Sequence, residues 1–192
     1  MKKIILVGGG GHCKSVIDVI EQERKFKIAG IIDKPSLIGT KILQYSVIGS
    51  DKDLKNLAKK YSYALITVGQ INSAILRKKL FNLVKKAKFI LPKIISPTAY
   101  VSKYSSIGKG SVIMHKSIIN ANSSIGDNCI VNTSALVEHD CIISSHCHIS
   151  TNATINGGVN IKSGCFIGSN ATIKQGLKIK ENSFIKACSF IR

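Results

Sequence analysis

Residues 138–140 read Glu-His-Asp, an imidazole set between two carboxylates. A neighbouring carboxylate fixes the tautomer of a histidine and raises its basicity, which is what a general base requires. A second cluster lies at the N-terminus, where Val7 is followed by four glycines and His12. Glycine amides that open a helix suit a diphosphate. Asp33 closes the next apolar run, and an acid at a strand end suits ribose or base donors. Cys129, Cys147 and Cys165 recur at a constant spacing, with His146 and His148 flanking the middle one. The chain has no CxxC pair, and the spacing predicts buried, inert thiols rather than a metal site. Lys162 and Lys180 share the same spacing and present either a solvated face or a phosphate contact.

The elements that must position these residues fall into two halves. From Ile95 onward, every sixth residue up to Ile191 is Ile or Val, seventeen in succession, although those types fill only 43 of 192 positions. Chance would give that on the order of 10⁻¹¹ for one phase, so the period is structural. The fourth residue after each is small, as at Ser105, Ser123, Cys129, Ala135, Cys141 and Ala171. The residue before that one is often Asn or Gly, as at Gly110, Asn122, Asn128, Asn152, Gly158 and Gly176. Asn and Gly tolerate the positive φ of a tight corner. A hexapeptide period of this kind predicts a parallel β-helix in which three hexads make one triangular coil. The stack neighbours of His139 are then Ala121 and Gly157, both small, which predicts room for a ligand beside the ring. The repeat runs to the last residue, and an uncovered coil end predicts a covering subunit or segment.

The first half alternates strands and helices. Strands are expected at 3–7, 26–32 and 64–68, and helices at 12–22, 51–60 with Asp51 as cap, and 73–86. This pattern predicts a small parallel sheet covered by helices, a Rossmann-like α/β domain over 1–93, with the β-helix over 94–192. Hydrophobic residues make up 44% of the chain, enough for a core, and no apolar run is long enough to span a membrane. The N-terminal apolar run is too short for a secretion signal, and six cysteines without one predict free thiols and a cytoplasmic location. The net charge is +18, of which +13 falls in residues 1–93. Anionic partners fit that charge, but the absence of Trp and the scarcity of aromatic rings disfavour nucleic acid.

The glycine turn, the strand ending at Asp33, the run Thr67-Val-Gly69 and the uninterrupted hexads carrying Val-Glu-His-Asp-Cys together resemble one family. It is the hexapeptide-repeat acyltransferases with left-handed β-helices, in the branch of bacillosamine-type nucleotide-sugar N-acetyltransferases and NeuD-like sialic-acid O-acetyltransferases. The resemblance implies His139 as catalytic base and Asp140 as the acid that raises its basicity, with Glu138 a second acidic candidate. It implies that His148 meets acetyl-CoA near the thioester and that Ser169 and Ala187 line the CoA groove. It implies that Gly10, Gly11 and His12 contact a nucleotide-sugar, with Asp33 at the nucleoside and Gly69 as a further contact. A homotrimer without metal, nucleic acid or membrane insertion follows from the same resemblance. The expected reaction is transfer of acetyl from acetyl-CoA to the amine of a UDP-4-amino-type sugar, with an oxyanion donor near the Gly157–Gly158 corner. O-acetylation of a sialic-acid-like sugar and a non-catalytic scaffold are the alternatives. Two positions depart from the family pattern: Lys34 stands where a second acid is common, and Lys186-Ala-Cys-Ser replaces a glycine-rich stretch.

Overall fold

The computed structural model describes all 192 residues, Met1–Arg192. They form two compact units, one made of Met1–Gly69 with Leu76–Pro92 and the other of Gln70–Ile75 with Lys93–Arg192. The hexapeptide segment therefore takes with it a short stretch, Gln70–Ile75, that lies far earlier in the chain.

In the first unit, β1 (Lys2–Val7), β2 (Phe26–Ile32), β3 (Lys41–Ile42), β4 (Tyr45–Gly49) and β5 (Tyr63–Ile66) form one sheet in the order β3-β4-β2-β1-β5. The β1–β2, β1–β5 and β2–β4 pairs are parallel. The β3–β4 pair is antiparallel, so the small parallel sheet expected from the sequence is mixed at one edge. The apolar run Ile4–Val7 is buried, as a central parallel strand covered on both faces requires. Helix α1 (Gly11–Glu23) buries Cys13, Val16, Ile17, Val19 and Ile20, one helical face of the sequence pattern.

The expected helix over 51–60 is much shorter. A 3₁₀ turn at Asp51–Asp53 leads into α2, Leu54–Leu57. Its cap is Ser50 rather than Asp51: Asp53 Oδ2 accepts from the Ser50 backbone N–H at 2.8 Å, closing a capping box. Helix α3 (Ile75–Lys86) buries Arg77, Leu80, Phe81 and Val84. The Arg77 guanidinium donates to the Ile66 carbonyl at 3.2 Å and to the Val68 carbonyl, tying α3 to the end of β5.

The second unit is a left-handed triangular prism of seventeen two-residue strands, from Ile94–Ile95 to Phe190–Ile191. They stack as three parallel sheets of six, five and six strands. Each strand pairs with the one 18 residues on, as Ile125 with Ile143 and Val131 with Ile149, so three hexads make one coil. The second residue of each strand points inward, and from Ile113 to Ile173 this ladder is fully buried. β-Branched side chains suit it because χ1 is restricted and the pleated surface receives them well.

Every corner from Gly110 to Cys188 turns through a residue with positive φ three places after the inward one. Asn and Gly fill most corners, but Lys116, Ser134, Asp140, His146 and Cys188 accept the left-handed conformation too. The small residue that follows is buried and stitches successive coils. Ser111 Oγ donates to the Gly126 carbonyl at 2.7 Å, and Cys129, Cys147 and Cys165 Sγ reach the carbonyls of Ser144, Lys162 and Lys180 at 3.2, 3.2 and 3.0 Å. A serine or cysteine at this position thus supplies a donor where alanine only fills space.

Truncating one rung of the ladder should show its weight. Ile149→Ala removes a fully buried side chain between two filled coils and should cost about 2–5 kcal/mol. A urea unfolding curve with a lower midpoint and unchanged slope is the expected result.

Candidate active site

Stacking sets the geometry around His139, which occupies the first turn position of a corner between two neighbouring coils. Its Nδ1 lies 2.7 Å from Asp140 Oδ2. The carboxylate is an acceptor, so Nδ1 carries a proton, and in the neutral ring Nε2 keeps its lone pair. Both side chains are more than half exposed. Asp140 Oδ1 in turn accepts from Asn122 Nδ2 at 2.7 Å. The Asn122 amide first, and then His139, holds the Asp140 carboxyl below the usual carboxylate range. The pair therefore survives to a pH at which an ordinary aspartate has begun to protonate.

Glu138 is placed differently. Its Oε2 accepts from Asn120 Nδ2 at 2.9 Å and from the His139 backbone N–H at 3.4 Å, so it braces the corner and not the ring. The space expected beside His139 at Gly157 is filled by the imidazole itself. A Cβ on Gly157 would lie 2.8 Å from His139 Cε1 and 2.9 Å from Nε2. Gly157 is not in the left-handed region, so its missing side chain answers to the ring and not to the backbone. Gly158, by contrast, turns the corner at φ 69, and its N–H donates to the His139 carbonyl at 2.9 Å. That bond removes the Gly158 N–H as an oxyanion donor.

His148 sits on another face, almost buried. Its Nδ1–H donates to the Gln70 carbonyl at 2.5 Å, and its Nε2 accepts from Asn132 Nδ2 at 3.2 Å. Asn132 Oδ1 accepts from the Thr133 N–H at 2.8 Å, which completes the chain. Gln70 Nε2 bonds the carbonyls of His146 and Cys165 at 3.0 and 3.2 Å, so the Gln70 segment clasps the face on which His148 lies. Phe166 meets the His148 ring edge-on with centroids 5.3 Å apart, and Phe184 stacks on Phe166. The structure thus spends both imidazole nitrogens of His148 on protein partners. Ser169 and Ala187 stand one above the other on a third corner, with the Cys188 N–H donating to the Ser169 carbonyl at 2.8 Å. Ser169 Oγ pairs with Ser150 Oγ at 3.0 Å.

In the first unit the glycine turn divides by steric need. A Cβ on Gly8, at φ 104, would come within 2.2 Å of Val68 Cγ2, and one on Gly9 within 2.0 Å of Ile42 Cδ1. Gly10, the N-cap of α1, and Gly11 would meet nothing within 4 Å. These two are exposed at the start of the helix, where N–H groups point outward. Asp33 is built into the same turn: Oδ2 accepts from the Gly9 N–H at 2.6 Å and Oδ1 from the Lys34 N–H at 2.7 Å. His12 lies against Gly69, whose Cβ would be 3.7 Å from the His12 Cβ.

A cavity of about 320 Å³ opens at the carboxyl ends of β1 and β2, walled by Ile32, Asp33, Lys34, Ser50, Val68 and Leu80 among others. That is where an open parallel sheet receives ligands. Asp33 reaches it, whereas Gly10, Gly11, His12 and Gly69 are not part of its wall. Lys34 and Ser50 were not anticipated as wall residues. Lys34 follows directly from the strand end and was legible as a neighbour of Asp33, but Ser50 depends on the β3–β4 hairpin, which carries no strong pattern.

The cysteines behave as spacing predicts. Burial pushes the Cys13 thiol up to about 11, and its contact with Cys129 pushes Cys147 up to about 12. Of the six free cysteines only Cys188 is exposed. A thiol reagent should therefore titrate one group rapidly in the native protein and the other five only after unfolding. No group of three His, Cys, Asp or Glu side chains converges as a metal site would need, and no helix is long and apolar enough to cross a membrane.

Comparison with known proteins agrees with this architecture. Residues 3–84 match the PglD N-terminal domain family. The chain is 33% identical over 116 residues to UDP-N-acetylbacillosamine N-acetyltransferase of Bacillus subtilis (strain 168), a match covering 59% of this chain and 52% of that protein. The match thus spans about half the length of the curated relative. A mutant of perosamine N-acetyltransferase from Caulobacter crescentus, in complex with CoA and GDP-perosamine, superposes over 100% of this chain and 89% of its own. The TM-score is 0.93 at 30% identity. The acetyltransferase domain of PglB from Neisseria gonorrhoeae FA1090, in complex with acetyl coenzyme A, superposes with a TM-score of 0.90 at 28% identity. It covers 99% of this chain and 92% of that one. With the mixed α/β sheet, the uninterrupted prism and the Glu-His-Asp corner, these likenesses show that the chain belongs to the bacillosamine-type, NeuD-like family of hexapeptide-repeat acetyltransferases.

Proposed function

We propose that the protein transfers an acetyl group from acetyl-CoA to the amine of a nucleotide-activated amino sugar, with His139 as general base. The observation that carries this reading is the His139–Asp140 pair. A 2.7 Å bond places a hydrogen on Nδ1, so that the neutral ring presents the Nε2 lone pair on an exposed corner. Nε2 accepts a proton as the sugar amine attacks the thioester carbonyl. The C–S bond then breaks, and the CoA thiolate takes up that proton. Asp140 stabilises the imidazolium formed in between without itself taking the proton. Hydroxyl and amine acceptors need the same base, and the relatives that act on amino sugars favour the amine.

The acyl donor is assigned to the prism, with Ser169 and Ala187 along its groove. His148 is proposed at the thioester end of that groove, its ring oriented by the Gln70 carbonyl at Nδ1 and by Asn132 at Nε2. The nucleotide is assigned to the first unit. The open N–H groups at Gly10 and Gly11, with His12 and Gly69 beside them, suit the diphosphate, and the cavity beyond Asp33 suits the nucleoside. A homotrimer in the cytoplasm is proposed for this chain, on the family resemblance alone.

His139→Ala should fold as the wild type and lose about 10²–10⁴ in rate. Purified protein is incubated with acetyl-CoA and UDP-4-amino-sugars, a GDP-amino-sugar, free sialic acid and CMP-sialic acid, and products are weighed by mass spectrometry. One added acetyl on a nucleotide-amino-sugar, lost in His139→Ala, supports the reading. Acetylated sialic acid would replace the acceptor. No product together with no acetyl-CoA binding would sink the enzymatic reading in favour of a scaffold. Gly157→Ala gives a second check: its Cβ displaces the imidazole, so the rate should fall while the melting temperature stays close to wild type.

A further inference from the structure

Corner side chains that stack 18 residues apart bond one another along the prism edges. Asn152 Nδ2 donates to Asn170 Oδ1 at 2.6 Å, and Asn128 Nδ2 lies 3.0 Å from His146 Nδ1. Asn122 and Asp140 are a rung of this kind, with Asn122 Nδ2 donating to Asp140 Oδ1 at 2.7 Å. This rung differs from the others in what lies at its far side. The second oxygen of Asp140 holds the Nδ1–H of His139.

We infer that Asn122 is a positioning residue for His139, acting through Asp140 from one full coil away. The inference rests on the reading of His139 as base and deepens it. An aspartate held at one oxygen alone can turn about χ2 and trade its imidazole for water. Both side chains of the His139–Asp140 pair are exposed, so that trade is open to them. Asn122 removes the freedom by pinning the other oxygen. Its own place is fixed by the backbone, because it turns its corner at φ 59 and the Asp140 N–H donates to the adjacent Ala121 carbonyl at 3.1 Å. The coil above offers no rival, since the next corner in the column is Gly158, with Gly176 beyond it. Oδ2 of Asp140 is therefore left to the imidazole, whose proton is fixed on Nδ1 and whose Nε2 stays ready to accept. The lowered ionisation range of Asp140, with Asn122 as its first cause, agrees with this arrangement.

The test is Asn122→Gly, which keeps a residue at ease with positive φ and deletes only the amide. The first readout needs no substrate: the tautomer of His139 by ¹⁵N NMR in the full-length protein. Wild type should show the Nδ1–H form, and Asn122→Gly a mixture of both tautomers. The second readout is steady-state kinetics on the acceptor identified above. The value of kcat should fall roughly 10- to 150-fold, the worth of one charge-assisted hydrogen bond, with KM for acetyl-CoA and for the sugar unchanged. Asn122→Asp should lose more, because it sets a second carboxylate against Asp140. It also serves if the glycine variant fails to fold. An unchanged Nδ1–H tautomer in either folded variant would overturn the inference, whatever the activity. A protein that acetylates no acceptor, yet loses the pure tautomer on Asn122→Gly, would overturn the proposed reaction and support the positioning role.

Discussion

The prism depends on a single constraint, the pairing of every strand with the strand 18 residues on. Two-residue strands are too short to hold a register by themselves. What holds it is the continuous column of Ile and Val at the interior, buried from coil to coil. Slipping the chain by one residue would turn each inward side chain outward, as for any strand with one buried face. The cost would be paid in every hexad at once, so the register is shared by the whole domain.

A fixed register converts sequence spacing into spatial contact. Residues 18 apart are neighbours, and all else in the prism follows from which types occupy each column. The column of Ser111, Cys129, Cys147 and Cys165 becomes a line of donors aimed at carbonyls of the next coil. The column of Asn122, Asp140 and Gly158 becomes a relay that ends where a side chain is missing. The column of His139 and Gly157 becomes a ring lying against bare backbone. The Glu-His-Asp corner is thus the structural repeat with charged and imidazole side chains set into its columns.

This explains how much was legible. The interior ladder, the corners and the cysteine column are periodic, so the hexad pattern carried them through to the observed coils. His139 and Asp140 stood out because charged and imidazole side chains interrupt that period. The same logic fails at Gly157, where a small neighbour predicts a gap that the imidazole itself fills. It missed the double use of His148, because its partner Gln70 lies 78 residues away in a segment with no hexad pattern. In the α/β unit the strands with buried apolar runs were plain. The β3–β4 hairpin and the cap at Ser50 were not, since short edge strands and 3₁₀ turns leave little periodicity to read.

The glycine turn shows why composition alone could not separate structure from function. All four glycines look alike in sequence, and each is compatible with a phosphate-binding turn. Gly8 and Gly9 are glycine because Val68 and Ile42 occupy the space a side chain would need. Gly9 also lends its N–H to Asp33, so this acid braces the turn as well as facing the cavity. Gly10 and Gly11 face no such neighbour. No packing contact within 4 Å and no positive φ demands a glycine at either position. The diphosphate contact proposed above gives these two positions a use that packing does not, because the start of α1 favours an anion.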